Sequence, residues 1–147
     1  MGTIDFSCAG EIATLTFSNP GKLNAINLGM WQQLAKNMAE ISVDRNIRCV
    51  VLRGAGNDAF AAGGDLEEFV TARTTLDQAL HYHGQVALAL HAIDSCPHPT
   101  VALIQGACIG GGLEIAGVCD FRICGENARF GAPINRLGFS MYPGEME

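Results

Sequence analysis

No two lysines or arginines stand side by side anywhere in this chain, and the formal net charge is −6. A nucleic-acid binder needs a basic stripe to displace counterions from a phosphate backbone, so that class is set aside. Charge of either sign is scarce, at 16% of residues, where about 25% is ordinary for a soluble domain. Apolar residues make up 48%. Such a balance describes a densely packed α/β domain, or one that leans on a partner surface to cover apolar area. Yet no apolar run approaches the roughly 18 residues a membrane span needs. The N-terminal stretch MGTIDFSCAGEIATLTF lacks the basic-then-apolar order of a secretory signal, and Phe6 stands where myristoylation needs Ser or Thr. CxxC pairs are missing as well. Cys8, Cys49, Cys96, Cys108, Cys119 and Cys124 mostly lie in apolar runs, so buried reduced thiols are expected rather than a disulfide framework, and the expected compartment is cytoplasmic. HExxH is absent. His81 and His83 are two apart on a helix and face different directions, and His91 and His98 have no partner at ligand spacing, so no metal site is expected.

What the chain does have is an alternation of strand and helix patterns. Glu11 to Phe17 alternates apolar and polar residues, as a half-buried strand does. Leu28, Trp31, Leu34, Ala35, Met38 and Ile41 recur at three- and four-residue steps and predict an amphipathic helix. Cys49 to Leu52 and Thr100 to Ile104 are short apolar strands of the kind buried on both faces. Between them GAGNDAFAAGGD is expected to be a loop. A helix is expected to begin at Asp65, with Glu68 completing an acidic capping box. A longer helix spans Leu76 to Ile93, with Leu76, Leu80, His83, Ala87, Leu90 and Ile93 as its inner face, and stops at Pro97 and Pro99. A helix from about Gly111 to Gly117, a strand from Asp120 to Cys124 and a short strand at 128–130 complete the pattern. Strands alternating with helices argue for α/β architecture with substantial parallel pairing in one domain over residues 1–147. The last segment, SMYPGEME, stops just past a Pro-Gly turn with no closing element, so the expected core is incomplete at its C-terminal end.

Two glycine loops draw attention. Gly54-Ala-Gly56-Asn-Asp-Ala59 matches the dinucleotide fingerprint GxGxxA, but no helix can open before Asp65, and that fingerprint needs a helix N-terminus at the glycines. A plain turn accounts for it. Gly106-Ala-Cys-Ile-Gly110-Gly-Gly112 follows a buried strand and precedes a helix, without the Lys-Ser/Thr of a P-loop. Gly63-Gly64 also precedes a helix. Bare backbone N–H groups on two such loops could converge on one oxygen atom.

Four segments in order now carry a resemblance. Asn19-PGKLNAI, Ala59-FAAGGDLEEF, Pro99-TVALIQGACIGGGLEIAGVCDFRI-Cys124 and Ala128-RFGAPINRLG resemble the crotonase (enoyl-CoA hydratase/isomerase) superfamily, and together they span nearly the whole chain. The resemblance implies a spiral of ββα units, here truncated before the family's C-terminal helical region, which completes the acyl pocket and builds trimers, often paired into hexamers. It implies acyl-CoA thioesters as substrates, with coenzyme A entering as part of the substrate and no separate cofactor, and a place in fatty acid metabolism. By motif position it implies an oxyanion hole from the backbone N–H groups of Gly64 and Gly111, flanked by Ala62, Asp65 and Gly110. Fixed amides aimed at developing negative charge are worth on the order of 10²–10³ in rate per donor.

Glu114, one turn into the helix, matches a family acid/base, although a glutamate there also interacts favourably with the helix dipole. Lys22 matches a position from which a basic residue can reach a coenzyme A phosphate; an ordinary exposed lysine is the plainer reading. Asp65 is read first as a helix cap. Two departures stand out. The second hydratase acid follows the proline of FGxP, and here Pro133 is followed by Ile134 and Asn135, neither able to shuttle a proton. Glu67 stands where several members carry a basic residue toward coenzyme A. Two functions therefore remain in view: a hydratase or isomerase, and an acyl-CoA-binding or vestigial module without efficient chemistry. Acyl-chain specificity is expected in loops such as 71–79.

Overall fold

The computed structural model describes residues 2–133. Strands β1 (Thr3–Ala9) and β2 (Ile12–Ser18) form an antiparallel hairpin turning at Gly10. Helix α1 (Leu28–Val43) follows, started by the Asn27 side chain, which accepts from Met30 N at 2.9 Å. Then come β3 (Cys49–Gly54), β4 (Ala59–Ala61), α2 (Leu66–Ala72), α3 (Leu76–Asp94), β5 (Thr100–Ile104), β6 (Ala107–Ile109), α4 (Gly111–Val118), β7 (Phe121–Cys124) and β8 (Arg129–Gly131).

From β3 onward the chain repeats one pattern: a strand in a large sheet, a corner, a short strand in a small sheet, then helix. The large sheet runs β1-β2-β3-β5-β7, parallel from β2 on, and the small parallel sheet runs β4-β6-β8. This is the expected ββα spiral. Its corners stack through backbone hydrogen bonds, Ala107 N to the Asp58 carbonyl at 3.0 Å and Arg129 N to the Gly106 carbonyl at 2.8 Å.

Apolar alternation buries Ala13, Leu15 and Phe17 of β2, with Val50, Leu52, Ala102 and Ile104 of its neighbours. They pack under Trp31, Leu34 and Met38 of α1 and Val86, Ala89 and Ile93 of α3. Phe17 meets Phe60 edge-on at 5.4 Å, which joins the large sheet to the small one.

Several expectations need correction. β1, β4 and β6 are additional strands, two of them only three residues long and held by register rather than by their own pattern. The inner face of α3 is Tyr82, Val86, Ala89, Leu90 and Ile93, whereas Leu76 and Leu80 are exposed. The helix is apolar on more than one side, and the buried stripe is set by Tyr82. The capping box at α2 does not form. Asp65 accepts from Glu67 N, but the Glu68 carboxylate reaches Leu28 N at 2.7 Å, so it caps α1 instead. A capping box that sequence inspection passed over starts α3, between Thr75 and Gln78. All six cysteines are free, but only Cys108 and Cys119 are buried, and Cys8 and Cys124 are exposed. Burial pushes the two inner thiols up, to about 11 and about 12. Among the described residues no helix is long and apolar enough to cross a membrane, and no cluster of His, Cys, Asp or Glu is placed to hold a metal.

Candidate active site

Two loops leave the C-terminal ends of the neighbouring parallel strands β4 and β6: Ala62-Gly63-Gly64-Asp65 leads into α2, and Gly110-Gly111 into α4. They meet. A Cβ on Gly110 would lie 3.7 Å from Gly63 Cα, and one on Gly111 would lie 3.9 Å from the Gly63 carbonyl carbon, to which Gly64 N is bonded. Gly63 and Gly110 have φ of +94° and +49°, where a side chain is strained. At Gly112 a methyl group would run into the carbonyl oxygen of Ala61.

Backbone groups in a tight loop must find partners, so the account of each N–H is informative. Ala62 N donates to Leu23 O at 3.0 Å, Asp65 N to Ile26 O at 2.9 Å, and Gly110 N to Gly131 O at 2.9 Å. Among the described residues the N–H groups of Gly64 and Gly111 have no acceptor. These are the two amides singled out by motif position, and the fold sets them on adjoining loops. Gly111 opens α4, whose N-terminal dipole end favours negative charge. Glu114 follows in the first turn, half-buried, its N–H closing onto Gly110 O at 3.0 Å.

Lys22 and Asp65 also come together, but as a pair. The Lys22 ammonium lies 2.9 and 2.8 Å from the two Asp65 oxygens and 2.8 Å from Glu67 Oε2. Burial pushes the Asp65 carboxyl up, but its bonds to Lys22 outweigh this and hold it below the ordinary carboxylate range. The bonds to Asp65 and then Glu67 push Lys22 up in turn. Glu67, which departs from the basic residue expected by resemblance, thus shares the one lysine of this rim with Asp65.

Asn24, in the Asn19-PGKLNAI segment, is a structural residue to which the sequence alone attaches no role. It and Leu23 lie in the left-handed region, at φ of 56° and 49°. The Asn24 amide donates to Ala55 O at 3.0 Å and Ala59 O at 2.8 Å while its oxygen accepts from Asn19 N. This bolts the 19–27 loop to the edge of β4 and so to the first glycine loop. An Asn three residues after a turn glycine is the only hint the sequence offers. Ile134, Asn135, Glu145 and Glu147 lie outside the described residues.

The family model for enoyl-CoA hydratase/isomerase matches residues 8–145. The chain belongs to that family. A solved structure of an enoyl-CoA hydratase/carnithine racemase from Magnetospirillum magneticum superposes with a TM-score of 0.95 at 44% identity, covering 99% of this chain and 55% of that one. The short-chain-enoyl-CoA hydratase of Clostridium acetobutylicum is 33% identical over 135 residues, 92% of this chain and 50% of its own length. The mitochondrial 3-hydroxyisobutyryl-CoA hydrolase of Bos taurus is 34% identical over 132 residues, 89% of this chain and 33% of its own length. The chain thus spans about half the length of the family members it matches, or less. Its relatives include both a hydratase and a hydrolase, so membership in the enoyl-CoA hydratase/isomerase family leaves the reaction itself open.

Proposed function

We propose that this enoyl-CoA hydratase/isomerase family chain binds acyl-CoA thioesters and stabilises an enolate between the Gly64 and Gly111 amides. The observation that carries the reading is the pair of N–H groups that, among the described residues, have no acceptor and sit on two loops in contact. Withdrawal of a C2 proton from the thioester moves an electron pair onto the carbonyl oxygen. Two pre-aimed amides meet that charge without reorganising, and the α4 dipole adds to them. Glu114 is the proposed acid/base: as a carboxylate it takes the C2 proton, and as an acid it returns a proton to C4 for isomerisation. Lys22 is the proposed contact for a coenzyme A phosphate, and Ala62, Asp65 and Gly110 shape the rim. Coenzyme A arrives on the substrate, and the chemistry uses only amides and a carboxylate. A homotrimer or hexamer of the full-length protein, working in fatty acid metabolism in the cytoplasm, accords with this reading.

A second reading is favoured by one observation. Position 134, which follows the proline of FGxP, is isoleucine, so syn hydration has one acid instead of two. The chain would then hold acyl-CoA without efficient chemistry. Crotonyl-CoA and a 3-enoyl-CoA, offered to wild type and to Glu114→Gln, separate the two. The enzyme reading expects turnover of at least one substrate and a loss of 10²-fold or more in Glu114→Gln. Thioester binding without turnover of either supports the binding module, and unchanged activity in Glu114→Gln overturns the acid/base assignment.

A further inference from the structure

Each of the two glycines has an aromatic ring standing where its side chain would be. A Cβ on Gly64 would lie 2.6 Å from Cζ of Phe69, and one on Gly111 would lie 3.0 Å from Cζ2 of Trp31. Phe69 comes from α2 and Trp31 from α1, two helices separated in the sequence by both a strand of the large sheet and one of the small.

Tyr82 of α3 joins them. Its ring meets Phe69 edge-on, with centroids 5.5 Å apart and planes at 85°. It and Trp31 lie in the same buried core cluster. Tyr82 is 2% exposed, and among the described residues its hydroxyl has no hydrogen-bond partner. Stability alone would favour phenylalanine there, so the hydroxyl is not what fastens this ring in place. The guanidinium of Arg73, bonded to His83 Nε2, lies 4.4 Å above the Phe69 ring and 4.9 Å from that of Tyr82 and holds the two together from outside.

We propose that Tyr82 is a positioning residue, the keystone of an aromatic bracket (Trp31, Tyr82, Phe69) that fixes the separation of the Gly64 and Gly111 amides from behind. The inference rests on the oxyanion reading above. The two loops share no backbone hydrogen bond with each other among the described residues, so beyond the β4–β6 pairing and their own contact their spacing depends on what packs behind them. An error of about 1 Å in a group that meets the transition state costs on the order of 10²-fold in rate. Ground-state binding, spread over the whole thioester, is much less sensitive.

The test compares wild type, Tyr82→Leu, Tyr82→Phe and Phe69→Leu by kinetics on crotonyl-CoA and a 3-enoyl-CoA. Infrared difference spectra of bound butyryl-CoA report how strongly the amides polarise the thioester carbonyl. Tyr82→Leu is expected to lose 10-fold or more in kcat with KM within about threefold, and most of the carbonyl shift. Tyr82→Phe keeps the ring and is expected to restore both. Phe69→Leu, at a half-buried site that tolerates truncation better, repeats the loss should Tyr82→Leu not fold. A folded Tyr82→Leu or Phe69→Leu protein with wild-type kcat and carbonyl shift overturns the bracket. Bound butyryl-CoA with no carbonyl shift in wild type overturns the oxyanion reading itself, and the bracket with it.

Discussion

Asn24 shows how much one side chain can decide. Three hydrogen bonds from a buried amide hold a backbone that would otherwise pay for two successive left-handed residues. Asn24→Ala strips partners from two carbonyls at once and is expected to cost about 2–3 kcal/mol in urea unfolding. Tyr82→Phe should move stability the other way. It removes a buried hydroxyl that has no partner and is expected to add about 1 kcal/mol, read as a higher melting temperature. Lys22 offers a sharper test, because two opposed effects act on Asp65. With the ammonium gone in Lys22→Met, burial is opposed only by the remaining hydrogen bonds to Asp65, so its carboxyl is expected to titrate higher than in wild type. Carbon-detected NMR titration of that carboxyl reads the upward move directly.

Among the helices, α2 is the one held by least. None of its residues is fully buried, and it is fastened by Phe69, by the Lys22–Asp65 pair and by Glu68 reaching Leu28. It should open before α1 or α3 in hydrogen exchange. The pH window of its anchor follows from both partners. The depressed Asp65 contributes stability above its unfolded pKa of about 3.9 and loses it as pH falls through the folded value. The raised Lys22 contributes fully below about 10.4 and loses its part as pH rises through its folded value. Exchange of the Glu67, Glu68 and Phe69 amides is therefore expected to accelerate selectively below about pH 4, at the acid edge of that window. How far the elements could be read in advance follows the same logic. Helices α1 and α4 and strands β2, β3, β5 and β7 carry their own periodicity or apolar runs. β4 and β6 carry three residues each, and register with a neighbour makes them strands. The meeting of the two glycine loops beside Glu114 was expected from the family motifs, since a first-turn glutamate alone also has an ordinary role beside the helix dipole. Trp31, Phe69 and Tyr82 were not legible, since an aromatic at helical spacing looks like any core residue until its neighbours across the fold are known.

At the scale of the molecule, the large sheet ends on β7, whose four residues are all exposed, with Phe121 60% and Ile123 58% accessible. Among the described residues no strand pairs with its outer edge, and an apolar edge of this kind is a template for another strand. The chain is expected to self-associate there, and Ile123→Lys to lower the apparent mass in sedimentation equilibrium without changing the circular dichroism. The bracket behind the two amides has a practical side too. Trp31 is the only tryptophan in the sequence, it is buried, and it touches Gly111. The protein thus carries its own fluorophore at the back wall of the site. If a thioester binds at these amides as proposed, its arrival is expected to change the native emission, with no label to disturb the packing it reports on.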